Sequence, residues 1–144
     1  MPRVDFYIIS ESNNRSQESV ACVLTEKAFD QSFKILILGQ SEQQLIQLND
    51  TLWTFKEDSF IPHQIIQSED DIDTAELPVA LSQNDTAYPK ANLLINLCNK
   101  IPSNADSFER IAEIVPGRKA ERQQSRERYK QYQALGYELH THNL

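Results

Sequence analysis

Apolar and polar positions follow two rhythms along this chain, and the changes of rhythm mark its elements. VDFYII at 4–9 is β-branched and aromatic, which predicts a strand. Residues 11–16 are polar and turn-like. A helical period then runs over 16–31, with Ser16 as cap, Glu18 and Ser19 in the first turn, and Val20, Val23, Leu24 and Ala28 facing inward. KILIL at 34–38 is a short continuous apolar run, as expected of a strand covered on both faces, and Gly39 ends it. A second helix is predicted over 41–55, with Ser41 as cap, Glu42 in the first turn and Leu45, Leu48 and Leu52 as its inward stripe. Trp53 and Phe55 lie at its end, and Phe60, Ile61 and Pro62 follow closely. Strand, helix, strand, helix at this spacing predicts parallel βαβ units.

The second half is more broken. Ile65 and Ile66 suggest a short strand, and 67–76 reads as an acidic loop carrying Glu69, Asp70, Asp71, Asp73 and Glu76. Clustered carboxylates can bind a hard cation, but the glycine and spacing of a calcium loop are missing, which leaves a solvated loop as the simpler reading. Residues 78–81 suggest another strand, 84–89 a turn, and NLLINLC at 92–98 a further buried strand. A loop over 102–107 offers Asp106 or Ser107 as a cap. Residues 108–115 then fit a helix with Phe108, Ile111, Ala112 and Val115 on one face. Pro116 and Gly117 open a long run of good helix formers, roughly 119–135, which Gly136 closes. Its apolar content is thin (Ala120, Tyr132, Ala134, Leu135), so it is expected on the surface with most of its length in water. YELHTH at 137–142 alternates and fits an edge strand or a docked tail. No repeat, low-complexity region or linker interrupts the 144 residues. The expectation is one α/β domain, 1–144: three layers, a mostly parallel central sheet flanked by helices, Rossmann-like without a nucleotide-binding loop.

Charge singles out the last helix. The chain carries a formal −7, yet the window 118–130 holds Arg118, Lys119, Arg122, Arg126, Arg128 and Lys130 against Glu121 and Glu127. That is a local +4 on a body that sums to −11 elsewhere, a ready site for a ligand of negative sign. Arg118, Arg122 and Arg126 follow the i, i+4, i+8 ridge, and Tyr129 lies on the same stripe, which Glu121 and Glu127 do not share. A row of guanidinium groups beside an aromatic grips carboxylates and offers an apolar wall, as a short acidic peptide ending in a hydrophobic residue requires. The plainer alternative is a solvated charged helix.

Other chemistries find little support. There are three glycines, no P-loop and no dinucleotide fingerprint, and Gly117-Arg118-Lys119 is only a weak phosphate signal. The negative balance argues against broad coating of nucleic acid. Cys22 and Cys98 lie far apart in apolar patterns and read as reduced core residues of a cytoplasmic protein. No apolar run has the length of a membrane span, and 1–10 does not resemble a signal peptide. His63 reads as packed or partner-facing. His140 and His142 share a strand face that could hold a metal, but no further ligands are evident and a frayed polar tail is simpler. No serine or cysteine has a catalytic context, and a buried pair of acids stays open. No cofactor is expected.

With these residues in view, the sequence resembles the chi subunits of bacterial DNA polymerase III. The resemblance covers most of the chain: DFYII at 5–9, LWTFKEDSFIPH at 52–63 and, most strongly, RERYKQYQALGY at 126–137, while 67–91 carries little of it. It implies a non-catalytic α/β accessory subunit of the clamp loader that pairs with a psi subunit and binds the acidic C-terminal tail of single-stranded DNA-binding protein (SSB). By position, the tail surface would be Val115, Arg122, Arg126 and Tyr129, with Arg118 beside them. Arg122 stands where a relative has lysine, which keeps charge and changes hydrogen-bond geometry. Trp53 and Phe60 match residues tied to psi and to a repair helicase that competes with it, although Trp53 could instead close the core beside Leu52. Nucleic acid would be met only indirectly. Two other classes remain: direct single-strand binding through the basic helix, which needs more stacking aromatics than Tyr129 and Tyr132, and a small-molecule enzyme, for which no motif speaks.

Overall fold

The structure, a computed structural model, describes residues 2–13, 15–54, 61–67 and 77–144. Its strands are β1 (Arg3–Ile8), β2 (Ile35–Leu38), β3 (His63–Ile65), β4 (Val79–Ser82), β5 (Leu93–Asn96), β6 (Arg110–Val115) and β7 (Glu138–Asn143); its helices are α1 (Gln17–Asp30), α2 (Glu42–Thr54) and α3 (Lys119–Ala134). One seven-stranded sheet runs in the order β3-β4-β2-β5-β6-β1-β7, and every described pairing is parallel. The fold is α/β in three layers. Phe60 and all five acidic residues of the 67–76 loop lie outside the described residues.

A parallel sheet must be covered on both faces, because its connections cross over it. On one side α1 and α2 bring Val20, Ala21, Cys22, Leu45, Leu48 and Leu52 onto Ile35, Ile37, Ile95 and Ile114. On the other, Tyr132 of α3 joins Tyr88 and Phe108 from the loops in covering Phe6, Leu36, Leu94 and Ile111. Alternate residues of one strand thus serve opposite cores, and β2 is buried throughout.

The helix starts follow their caps. Ser16 Oγ accepts the Ser19 N–H at 3.0 Å, and Ser41 Oγ accepts the Gln44 N–H at 3.1 Å. At the start of α3 the packing is tighter. A Cβ on Gly117 would stand 2.9 Å from the Ser10 carbonyl oxygen, so the turn from β6 into α3 lies against the end of β1 as only glycine allows. Gly136 closes α3 with φ 81°, and the Tyr137 N–H reaches back to the Tyr132 carbonyl at 3.3 Å.

One predicted element is wrong. The segment 108–115, expected as a helix, is an extended stretch containing β6, paired with β5 and β1. Phe108, Ile111, Ala112 and Val115 do repeat at helical spacing, but a central strand buries both faces, and its apolar residues satisfy either period. Tertiary pairing decides, and the β-branched Ile111, Ile114 and Val115 suit the strand. The 137–142 tail is not frayed: β7 pairs with β1 along all six residues, as an edge strand.

Candidate functional site: the basic helix and its flank

What holds α3 to the sheet is mostly polar. Its buried residues are Ser125, Arg128 and Tyr132, spaced to share one face. Beneath them lies Glu113, in the middle of β6 and wholly buried. Glu113 Oε1 accepts from Arg128 Nε at 2.9 Å; Oε2 accepts from the Tyr132 hydroxyl and from Asn96 Nδ2, each at 2.7 Å. Burial pushes the Glu113 carboxyl up, with the guanidinium and the two hydrogen bonds pulling against it. Burial and the Glu113 charge push the Tyr132 phenol far up, so it stays an O–H donor. Composition had counted Arg128 among the outward cations. In the folded chain it is 5% exposed and faces inward.

The outward cations differ in their surroundings. Arg118 does not belong to the helical stripe: it is the N-cap residue of α3, with extended backbone, and it pairs with Glu121 at 3.0 Å. Glu121, off the stripe, thus partly neutralises the arginine row at its N-terminal end. Lys130 approaches Glu127 at 3.9 Å, and both are open to water, so the pair contributes little. Arg122 is half-buried, and its Nε is shielded from water without an acceptor among the described residues. Arg126 is exposed and has no ion pair among the described residues.

Tyr129 leans on Phe6 of β1, ring centroids 5.4 Å apart and planes at 52°. Together with Gln123, Arg126, Glu127, Lys130 and Gln133 it lines a hollow of about 460 Å³ on the outer side of α3. Val115 has no exposed surface and packs in the core under this helix. The structure therefore brings Arg126 and Tyr129 together, sets Arg122 beside them half-sunk, places Val115 underneath, and leaves Arg118 at the helix entrance, where it lines a separate hollow with Gln17, Pro116 and Gln124.

On the opposite layer, Trp53 ends α2 with 44% of its surface exposed, while Leu52 beside it is wholly buried. The alternative that Trp53 closes the core thus fails. Its ring lies 4.3 Å from that of His63, whose two nitrogens face the Ile61 carbonyl at 2.6 Å and the Asn49 carbonyl at 3.2 Å. Ile46, two turns earlier on the same helix face, is 50% exposed.

Neither cysteine is poised for chemistry. Both are free, and burial pushes the Cys22 thiol up to about 12 and that of Cys98 to about 11. His140 and His142 lie on one face of β7, turned toward Glu138 and Asp5 at 2.6 and 2.9 Å. No group of three candidate metal ligands occurs among the described residues. No described helix is long and apolar enough to cross a membrane.

Sequence reasoning missed Glu113, Asn96 and the inward turn of Arg128. A carboxylate inside the apolar run IAEIV was the available signal. Once 110–115 is a strand, Glu113 alternates onto the same face as Ile111 and Val115.

Comparison with known proteins agrees along the whole chain. The family model described as DNA polymerase III chi subunit, HolC, matches residues 1–140. The DNA polymerase III subunit chi of Pseudomonas aeruginosa is 38% identical over 144 residues, covering 100% of this chain and 98% of the relative. That of Haemophilus influenzae is 33% identical over 140 residues, covering 96% and 95%. The Escherichia coli K12 protein of the same name is 26% identical over 145 residues, covering 98% and 97%. With the match spanning nearly every element of the sheet and both faces described above, this chain belongs to the DNA polymerase III chi subunit family.

Proposed function

We propose that this protein is a non-catalytic accessory subunit that links the clamp loader, through a psi-type partner, to the acidic C-terminal tail of SSB during DNA replication. One observation carries the reading. On the flank of α3, Arg126 has no counter-ion among the described residues, and it stands by the Phe6-propped ring of Tyr129 at an open hollow. A carboxylate-rich peptide supplies the missing acceptors, and a terminal phenyl ring packs against Tyr129. The shielded Nε of Arg122 is a second donor in want of an acceptor. Val115 acts from below by supporting the helix.

The exposed ring of Trp53, with Ile46 on the same face, suits an apolar partner surface, and this is where the psi-type subunit, or a competing helicase, is placed; Phe60 is assigned to the same contact from sequence. Direct single-strand binding is less well supported. Of the six cations in 118–130, Arg128 is buried while Arg118 and Lys130 already have carboxylate neighbours.

Fluorescence anisotropy with two labelled acidic peptides, one ending in Pro-Phe and one lacking the terminal Phe, tests the tail site. The first binds and the second does not. Arg126→Ala weakens the first by about ten- to a hundredfold, the loss of one charge-assisted contact of ~1.5–3 kcal/mol. Equal binding of both peptides, or an unchanged affinity in Arg126→Ala, rejects the site.

A further inference from the structure

Glu113 is a buried charge that the tail-binding reading does not use, and it does not need to be there for packing. A buried ion pair is weak as a source of stability; well-packed apolar residues of like volume commonly do as well or better. What it supplies is direction. An apolar stripe tolerates small rolls and slides of a helix, whereas hydrogen bonds to a carboxylate are constrained in distance and angle.

The constraint here is double. Both oxygens of one carboxylate are engaged by α3, Oε1 by Arg128 and Oε2 by Tyr132, donors four residues apart on the same helix. The carboxylate is itself held. Asn96 of the neighbouring strand, in register with Glu113, donates to Oε2 at 2.7 Å. The Asn96 amide is fixed in turn by the Lys100 carbonyl at 3.0 Å and the Cys98 N–H at 2.9 Å. Two attachment points along the helix axis set its register, and both lie on one face, so they set its roll. At 100° per residue, the direction of Arg128 dictates those of Tyr129, Arg126 and Arg122.

We infer that Glu113 is a positioning residue for the anion-binding flank: through Arg128 and Tyr132 it fixes the roll and register of α3, and so aims Arg122, Arg126 and Tyr129 at an acidic peptide end. The inference rests on the tail-binding reading proposed above. It separates stability from binding, because the polar clamp is replaceable in the first role and not in the second.

The experiment compares the wild-type chain with the triple variant Glu113→Met/Arg128→Met/Tyr132→Phe, which fills the same space with apolar atoms. Each is titrated with the Pro-Phe peptide and with the peptide lacking Phe, and thermal unfolding is followed alongside. The wild type separates the two peptides; if it does not, the tail reading itself fails, and that outcome is distinct from anything the variant does. The triple variant stays folded and unfolds cooperatively, its melting temperature lowered only as far as the Asn96 amide misses its acceptor, binds the Pro-Phe peptide at least tenfold more weakly, and shows faster amide hydrogen exchange confined to 119–134. A folded triple variant with wild-type affinity overturns the inference. If the triple variant does not fold, Glu113→Asp decides: it keeps the charge and shortens the reach by one methylene. A several-fold loss of affinity with cooperative unfolding retained supports the clamp, and wild-type affinity overturns it.

Discussion

Asp5 is a carboxylate almost cut off from water, with three side chains converging on it. Arg3 and Arg110 each reach it at 3.1 Å, and His142 Nε2 lies 2.9 Å away. Burial pushes this carboxyl up, but the hydrogen bonds from His142, Arg3 and Arg110 outweigh burial together and hold it below the usual carboxylate range. A carboxyl with a depressed folded pKa stabilises the fold at pH above its unfolded value, about 3.9, and that contribution disappears as pH falls through the folded value. Asp5→Asn should therefore cost about 1–3 kcal/mol at pH 7, because three donors lose an ionic acceptor. The gap from wild type should close in acid. Urea unfolding of both proteins at pH 7 and pH 3 measures it, and a gap of equal size at both would assign the cluster no ionic part. Residues of this kind were hard to read in advance. That Arg126 and Tyr129 share one flank of α3 was legible, because it needs only a helical spacing and an open face. Asp5, Glu113 and Arg128 were not, because whether a charge is outward or paired inside depends on which strand lies beneath it.

At the scale of elements, β2 and β6 show the limit of reading periodicity. Both are buried on both faces. KILIL contains no residue that would fit a helix stripe with gaps, so a strand was the natural reading. FERIAEIV does, so its spacing predicts a helix, and the two parallel neighbours decide for a strand. The cost of that misreading was chemical, since it hid the carboxylate that anchors α3. Helix α2 was simpler: Leu45, Leu48 and Leu52 face the core as their spacing predicts. What spacing did not decide was Trp53, one residue beyond Leu52, and its exposure now argues for a contact surface. Trp53→Ala should remove the ring contact with His63 and part of the α2 surface, about 1 kcal/mol of stability. It should abolish the complex with a psi-type partner while leaving tail affinity within twofold. Co-elution on size exclusion and the peptide titration give the two readouts; a wild-type complex would remove Trp53 from that interface.

Across the whole molecule, the two candidate surfaces are separated by the sheet. Trp53 ends a helix of one outer layer, the layer of α1 and α2, and α2 packs toward β3 at one edge of the sheet. The arginines sit on α3 in the opposite layer, which packs toward β6 and toward β7 at the other edge. The Trp53 end of α2 and the outer flank of α3 therefore lie in opposite layers, although Gln44 and Gln47 of α2 and Gln124 and Arg128 of α3 line one hollow. Coupling between the two sites would need a shared element with two arrangements. The sheet between them is one continuous ladder, and Trp53, Arg126 and Tyr129 all stand outside the hollow that the two helices share, so the free energies should add. The tail peptide should bind the free chain and its complex with the partner with the same Kd, within about twofold, and all three should co-sediment at saturating peptide. A tenfold difference in Kd would mean that the partner reaches round to α3 or that α3 moves when α2 is covered. Charge sharpens the expectation. The sequence outside 118–130 sums to −11 and on balance repels an acidic tail. Raising the salt should weaken the local attraction to exposed Arg126 and, at the same time, screen that repulsion, so that misdirected encounters become more frequent as specific ones weaken. Affinity for the Pro-Phe peptide should then fall with salt, while its advantage over a peptide without the terminal Phe persists, because the ring's burial against Tyr129 does not depend on ionic strength.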